Sequence, residues 1–128
     1  MLEQNPNNVK IVFKHFPLQS HRFALPAGLA SYAAQQQGKF WQYHDLIFQN
    51  YKTLTNESFN VFAQKVGLNM PLFNKHMNSP EALEKIKQDY QNGREAGVSG
   101  TPTVFINGQR LRDRSLDAIQ TIINTQLK

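Results

Sequence analysis

The stretch VSGTPTVFING, residues 98–108, joins a Gly-Thr-Pro turn to an apolar run and an Asn-Gly pair. The run 104–106 consists of β-prone residues, and Asn107-Gly108 accepts the two positive φ values of a type I′ turn at little steric cost. The sequence therefore predicts a β-hairpin in which residues 109–112 return antiparallel to 104–106.

Pro102 precedes this hairpin and has no backbone N–H. A peptide bond before proline is the place where the cis isomer costs little, about 0.5–1 kcal/mol relative to trans. The spacing permits either isomer, a cis proline in a tight loop or a trans proline that starts a strand. The residues alone leave this choice open.

Three segments resemble one known family. Residues 97–108 resemble the cis-proline loop and hairpin of the DsbA-like thioredoxin-fold oxidoreductases. The segments VKIVFKHFPL (9–18) and GKFWQYHDLIF (38–48) resemble two further parts of that family, in the expected order. The resemblance implies an α/β, thioredoxin-like (DsbA-like) fold with a helical insertion and an N-terminally truncated sheet.

The chain has 128 residues, enough for one compact domain. We predict a single thioredoxin-like domain over residues 1–128. Its helical block, with the insertion, covers about 24–97, and its proline loop, hairpin and last helix cover 98–128. Residues 9–13 are almost continuously apolar, which predicts a strand covered on both faces in a parallel sheet.

Helical spacing of apolar residues predicts helices over about 24–37, 39–51, 55–66, a short piece after Asn69, 79–97 and 116–127. Thr55 and Ser79 are predicted N-caps. The core stripe of the second helix is expected to contain Phe40, Tyr43, His44, Ile47 and Tyr51, with a second apolar row of Trp41 and Phe48. The last helix is expected to cover one face of the sheet with Leu116, Ile119, Ile122, Ile123 and Leu127.

The chain contains no cysteine, which excludes a disulfide, a thiolate zinc site and a thiol nucleophile within its 128 residues. The family's chemistry uses a Cys-x-x-Cys pair at the start of a helix, where the helix N-terminus lowers the pKa of one thiol. The matching region would lie before Met1, and residues 1–4 resemble the tail of that helix. We therefore expect no catalytic residue here and no disulfide exchange by this chain alone.

Other chemistry finds no support in the sequence. The four histidines lack metal-ligand spacing, and His44 and Asp45 are adjacent on a helix, where neighbouring side chains point in different directions. There is no G-x-S-x-G elbow and no phosphate-binding glycine loop. We expect no metal and no cofactor.

The resemblance implies a substrate-binding loop. In the family, the residue before the cis-proline offers its backbone to an extended polypeptide, a form of β-augmentation. By resemblance this residue is Thr101, with Pro102 as the cis residue and Gly100 leaving room for close approach. The alternative is that the loop only shapes the turn into the strand. The expected partner is an extended polypeptide or client protein, and a periplasmic or secreted location is implied by the family alone.

The net charge of +5 is scattered, apart from the short cluster Arg110, Arg112 and Arg114. A nucleic-acid stripe would be denser and interleaved with aromatic residues, so we expect no nucleic-acid partner and interpret the cluster as a solvated edge strand. No run of about 18 apolar residues and no export signal are present, so we expect no membrane contact.

The resemblance places a missing strand between residues 9–13 and 103–106. Unpaired backbone groups at that gap cost about 1–3 kcal/mol each when buried. Three arrangements would resolve this gap: the two strands pair directly, a second chain donates a strand, or the chain is a fragment of a longer enzyme. We expect that the isolated chain self-associates through this region. Two hypotheses remain: the C-terminal part of a DsbA-like oxidoreductase, or a naturally cysteine-free binding or oligomerisation module.

Overall fold

The computed structural model describes residue 5 and residues 7–18, 21–112 and 114–127. These residues fall into two compact units, a helical unit Lys14–Ala96 and a hairpin unit made of Met1–Phe13 and Gly97–Lys128. The prediction for residues 1–4, the tail of a helix, lies outside the described residues. No helix in the described ranges is long and apolar enough to cross a bilayer.

The helical unit contains five α-helices and a short 3₁₀ turn at Tyr51–Thr53. The helices are α1 (Ala24–Gln35), α2 (Phe40–Gln49), α3 (Ser58–Lys65), α4 (Met70–Met77) and α5 (Pro80–Glu95). The hairpin unit contains β1 (Phe105–Ile106), β2 (Gln109–Arg110) and α6 (Leu116–Gln126).

Local capping chemistry fixes several helix ends. Ser79 accepts a hydrogen bond from the backbone N–H of Ala82 at 3.2 Å, which confirms the predicted start of α5. The predicted cap at Thr55 is wrong, because α3 begins at Ser58 and the Ser58 hydroxyl instead accepts from the backbone N–H of Thr55. Thr55 therefore belongs to the turn before the helix.

The core of the helical unit combines small residues of α1 with aromatic side chains from α2, α3 and α4. Its buried members are Ala30, Ala33, Ala34, Tyr43, Phe59, Phe62, Ala63, Leu68 and Phe73. The Tyr43 hydroxyl donates to the Phe59 carbonyl oxygen at 2.9 Å, so this fully buried ring keeps its polar atom satisfied. The alanines let the aromatic rings approach the α1 backbone closely.

The core prediction for α2 holds for Tyr43 and fails for its second row. Trp41 is 46% exposed and Phe48 is 60% exposed, and Tyr51 is exposed as well. A ten-residue helix with one buried face needs only a single stripe, and the core next to α2 is already filled by Phe62 and Phe73. Trp41, Phe48 and Tyr51 therefore face solvent, whereas Phe40 is half-buried.

The predicted hairpin is confirmed. Phe105 pairs with Arg110 and Ile106 with Gln109, antiparallel. Asn107 and Gly108 have φ values of 49° and 83°, as the turn requires. In α6 only part of the predicted apolar face is covered, because Ile123 is buried whereas Leu116 and Leu127 are exposed.

The predicted strand over residues 9–13 is wrong. The sheet of the described residues has two strands, β1 and β2, and residues 9–18 belong to neither. A β-strand is defined by hydrogen bonds to a neighbouring strand. Among the described residues, 9–13 form no such pairing with 103–106. Val12 is consequently 62% exposed.

Candidate functional site

A short loop between Gly97 and β1 holds the three residues predicted to bind substrate. The peptide between Thr101 and Pro102 is cis. The Thr103 hydroxyl donates to the Gly100 carbonyl oxygen at 2.7 Å and closes the loop. Thr101 and Pro102 are both exposed residues.

The loop forms one wall of an open cleft of about 700 Å³. The cleft is lined by Ser99, Gly100, Thr101, Pro102, Thr103, Arg110, Leu111, Arg112 and Arg114. A Cβ atom added at Gly100 would meet nothing within 4 Å. The structure thus brings the three predicted residues together beside open space.

The rest of the described lining is Leu111 and three arginines, Arg110, Arg112 and Arg114, which the sequence analysis had interpreted as a solvated edge strand. An Arg110 guanidinium N–H donates to the Gly97 carbonyl oxygen at 3.1 Å, and Arg114 donates to the Pro102 carbonyl oxygen. Both side chains hold the proline loop from one side. The clue in the sequence was the clustering of three arginines directly after the predicted hairpin turn.

A second group of charged residues lies inside the helical unit. The Asp89 side chain is 1% exposed and accepts the His15 backbone N–H at 3.1 Å. Its other oxygen lies 2.8 Å from the Lys85 ammonium and 3.7 Å from that of Lys14. One backbone donor and two cations therefore compensate a carboxylate that burial would otherwise destabilise.

Sequence analysis missed Asp89, although a clue was present. Ala82, Ile86 and Asp89 follow one another at i, i+4 and i+7, and all three are buried on the same face of α5. A carboxylate on the apolar face of a helix needs a partner. The partners come from Lys85, one turn earlier, and from the segment that precedes α1.

Burial lowers the pKa of His15 from 6.5 to about 4, because the desolvated site disfavours the charged imidazolium. The Asp89 carboxylate opposes this shift, and Lys85 and His44 add to it. The ring lies edge-on to Phe40, with centroids 6.2 Å apart. His15 is therefore neutral at pH 7.

The remaining titratable side chains form no recognisable reaction centre. Within the described ranges no group of three or more His, Asp or Glu is placed to hold a metal ion. His44 and Asp45 contact each other at 3.2 Å, which the sequence analysis did not expect of adjacent helical residues. This pair lies at the protein surface.

Comparison with known proteins identifies the class. A family model described as Thioredoxin matches residues 3–125. The probable disulfide bond formation protein D of Bacillus anthracis is 30% identical over 129 residues, covering 94% of this chain and 58% of that protein. The Na(+)/H(+) antiporter NhaA 3 of Salinispora tropica is 35% identical over 104 residues, covering 80% of this chain and 16% of the antiporter.

A solved structure shows the same fold. The thioredoxin-like oxidoreductase from Silicibacter pomeroyi DSS-3 superposes with a TM-score of 0.79 and 21% identity, over 98% of this chain and 72% of that one. The chain belongs to the thioredoxin family, as a DsbA-like thioredoxin-fold protein. The predicted fold class is thereby confirmed, and the chain spans only part of the length of these curated relatives.

Asp89→Ala should destabilise the protein by about 2–4 kcal/mol, because it removes the acceptor of the His15 N–H and the counter-charge of Lys85. Glu84→Ala, on the exposed surface of the same helix, removes the same charge and is the control. Urea unfolding of both variants measures the difference. Equal stability of the two variants would contradict the assigned role of Asp89.

The free energy of unfolding should fall as the pH drops from about 6.5 towards 4, since unfolded His15 takes up a proton in this range and folded His15 does not. His15→Gln should reduce that slope when urea unfolding is compared near pH 7 and pH 5. His21→Gln, at an exposed histidine, is the control. An undiminished slope in His15→Gln would show that His15 titrates normally in the folded state.

Proposed function

We propose that this chain is a substrate-loop domain of a DsbA-like thiol:disulfide oxidoreductase, which binds an extended polypeptide at Gly100, Thr101 and Pro102 and performs no disulfide exchange with its own residues. The observation that carries the proposal is the exposed pair Thr101 and Pro102 at the wall of an open cleft. An extended segment laid along this wall adds a short strand through main-chain hydrogen bonds.

Disulfide exchange between a client and an oxidoreductase depends on thiolates as well as on binding of the client. An attacking thiolate displaces one sulfur of a disulfide and forms a mixed disulfide, which a second thiolate then resolves. The chain supplies no thiol, so both sulfur nucleophiles come from outside these 128 residues. The contribution of this chain is to hold the client's backbone in place.

The relationship to a probable disulfide bond formation protein supports this assignment. The antiporter relatives match only over a small part of their length, 16% for the Salinispora tropica protein. The periplasmic or secreted location implied by the DsbA-like family stays a prediction.

Peptide binding tests the proposal. An uncharged, cysteine-free, β-prone peptide of about ten residues should shift the backbone amide resonances of Gly100, Thr101 and Thr103. Thr101→Pro removes the N–H donor and should weaken binding about fivefold to tenfold, the value of about one hydrogen bond. Thr101→Ala keeps the backbone donor and is the matched control. Absence of any shift in the loop amides would overturn the proposal.

An insulin reduction assay with dithiothreitol completes this test. The chain should not accelerate the reaction above buffer, because it has no thiol to form the mixed disulfide. A rate equal to that of a cysteine-containing thioredoxin-fold protein would contradict the claim that exchange needs thiols from elsewhere.

A second candidate function, an oligomerisation module, has one observation in its favour. Four of the five residues 9–13 are apolar, the segment lies outside the sheet, and Ile11 and Val12 are exposed. We propose that a second copy of the chain covers this segment, because the exposed apolar side chains of Ile11 and Val12 lose contact with water when another chain packs on them.

Sedimentation should therefore show a dimer at micromolar concentration. Val12→Lys should shift the chain towards monomer, because the charge disfavours strand pairing. Val61→Lys, at an exposed valine of α3, is the matched control and should leave the dimer intact. A monomeric wild-type chain would remove this candidate.

A further inference from the structure

The cleft beside the proline loop is cationic. Arg110, Arg112 and Arg114 line it, all three exposed, and the described lining includes no acidic residue. The sequence places Asp113 between the last two, so residues 110–114 carry a net charge of +2. This is the densest positive charge in the hairpin unit, and it lies beside the residues proposed to bind a client.

We propose that the polypeptide bound in this cleft is an acidic segment, with Asp or Glu side chains at alternate positions along an extended backbone. The inference rests on the proposed function and names its substrate class. Arg110 and Arg112 are two residues apart, on either side of the buried Leu111. Alternate side chains of an extended peptide point to the same side of its backbone, so carboxylates at i and i+2 can both face the arginines.

The guanidinium groups have donors left for a ligand. Arg110 and Arg114 each direct one Nη1 N–H to a loop carbonyl oxygen, at Gly97 and Pro102. A guanidinium carries five N–H donors in a planar fork that fits a carboxylate with two parallel bonds. Each arginine can therefore hold the loop and a client carboxylate at the same time.

A nucleic acid would also be attracted by this charge. Binding of single strands normally depends on aromatic side chains that stack on the bases. The described lining of the cleft contains none, whereas it does contain the proline loop that offers backbone groups to a strand. A peptide therefore fits the cleft better than an oligonucleotide.

Three matched peptides test the inference with the whole chain. They are the uncharged peptide used above, with Gln at alternate positions, and two versions with Glu or Lys at those positions. Fluorescence anisotropy should show the Glu peptide binding about tenfold tighter than the Gln peptide, and the Lys peptide binding most weakly. Raising the salt concentration from about 0.05 M to 0.5 M should remove most of the preference.

Arg112→Gln should weaken binding of the Glu peptide about threefold to fivefold and reduce its preference over the Gln peptide by the same factor, because it removes an exposed charge and neither of the two arginine bonds to the loop. Lys87→Gln, an exposed position on α5 outside the cleft lining, makes the same change in net charge and is the control. It should alter neither affinity.

The outcomes separate this inference from the proposed function. Equal binding of the Glu and Gln peptides, with shifts of the loop amides, would overturn the acidic preference and leave the loop as a peptide site. Failure of all three peptides to bind would overturn both. A single-stranded oligonucleotide that binds more tightly than the Glu peptide and shifts the same amides would make nucleic acid the occupant and overturn the inference.

Discussion

The buried carboxylate of Asp89 connects the first residues of the helical unit to its last helix. Its hydrogen bond to the His15 N–H joins residues that are 74 positions apart, the first part of the unit to its last helix. Phe16 stacks on Tyr90 at 4.5 Å directly beside this contact. The other four helices, α1 to α4, lie between His15 and α5 in sequence. The polar contact therefore joins the two ends of the segment that contains them.

Burial of this carboxylate costs free energy, and only one arrangement of its partners offsets that cost. Desolvation of a carboxylate opposes folding, and the Lys85 ammonium at 2.8 Å offsets it only in this arrangement. An apolar residue at position 89 would remove the cost but would offer no acceptor to the backbone of His15. Residues 14–18 have no regular secondary structure, so this acceptor fixes the position of His15 on α5.

Local chemistry made part of the structure predictable. The Asn107-Gly108 turn and the cap at Ser79 depend on a few neighbouring residues, and both were correct. The strand over 9–13 and the burial of Trp41 depend on partners far away in sequence, and both were wrong. The proline loop was predicted from the family resemblance. The contacts of Arg110 and Arg114 with this loop were not predicted, because they join residues 12 or 13 positions apart that meet only in the folded chain.

The exposed aromatic row on α2 has a practical consequence. Trp41 is the only tryptophan in the chain, and its indole packs edge-on against Phe40 at 4.9 Å and against His44 at 5.3 Å. Its intrinsic fluorescence is therefore a built-in optical reporter of α2 and the helices packed with it. The hairpin unit contains no such chromophore, so an emission spectrum follows the melting of one unit only.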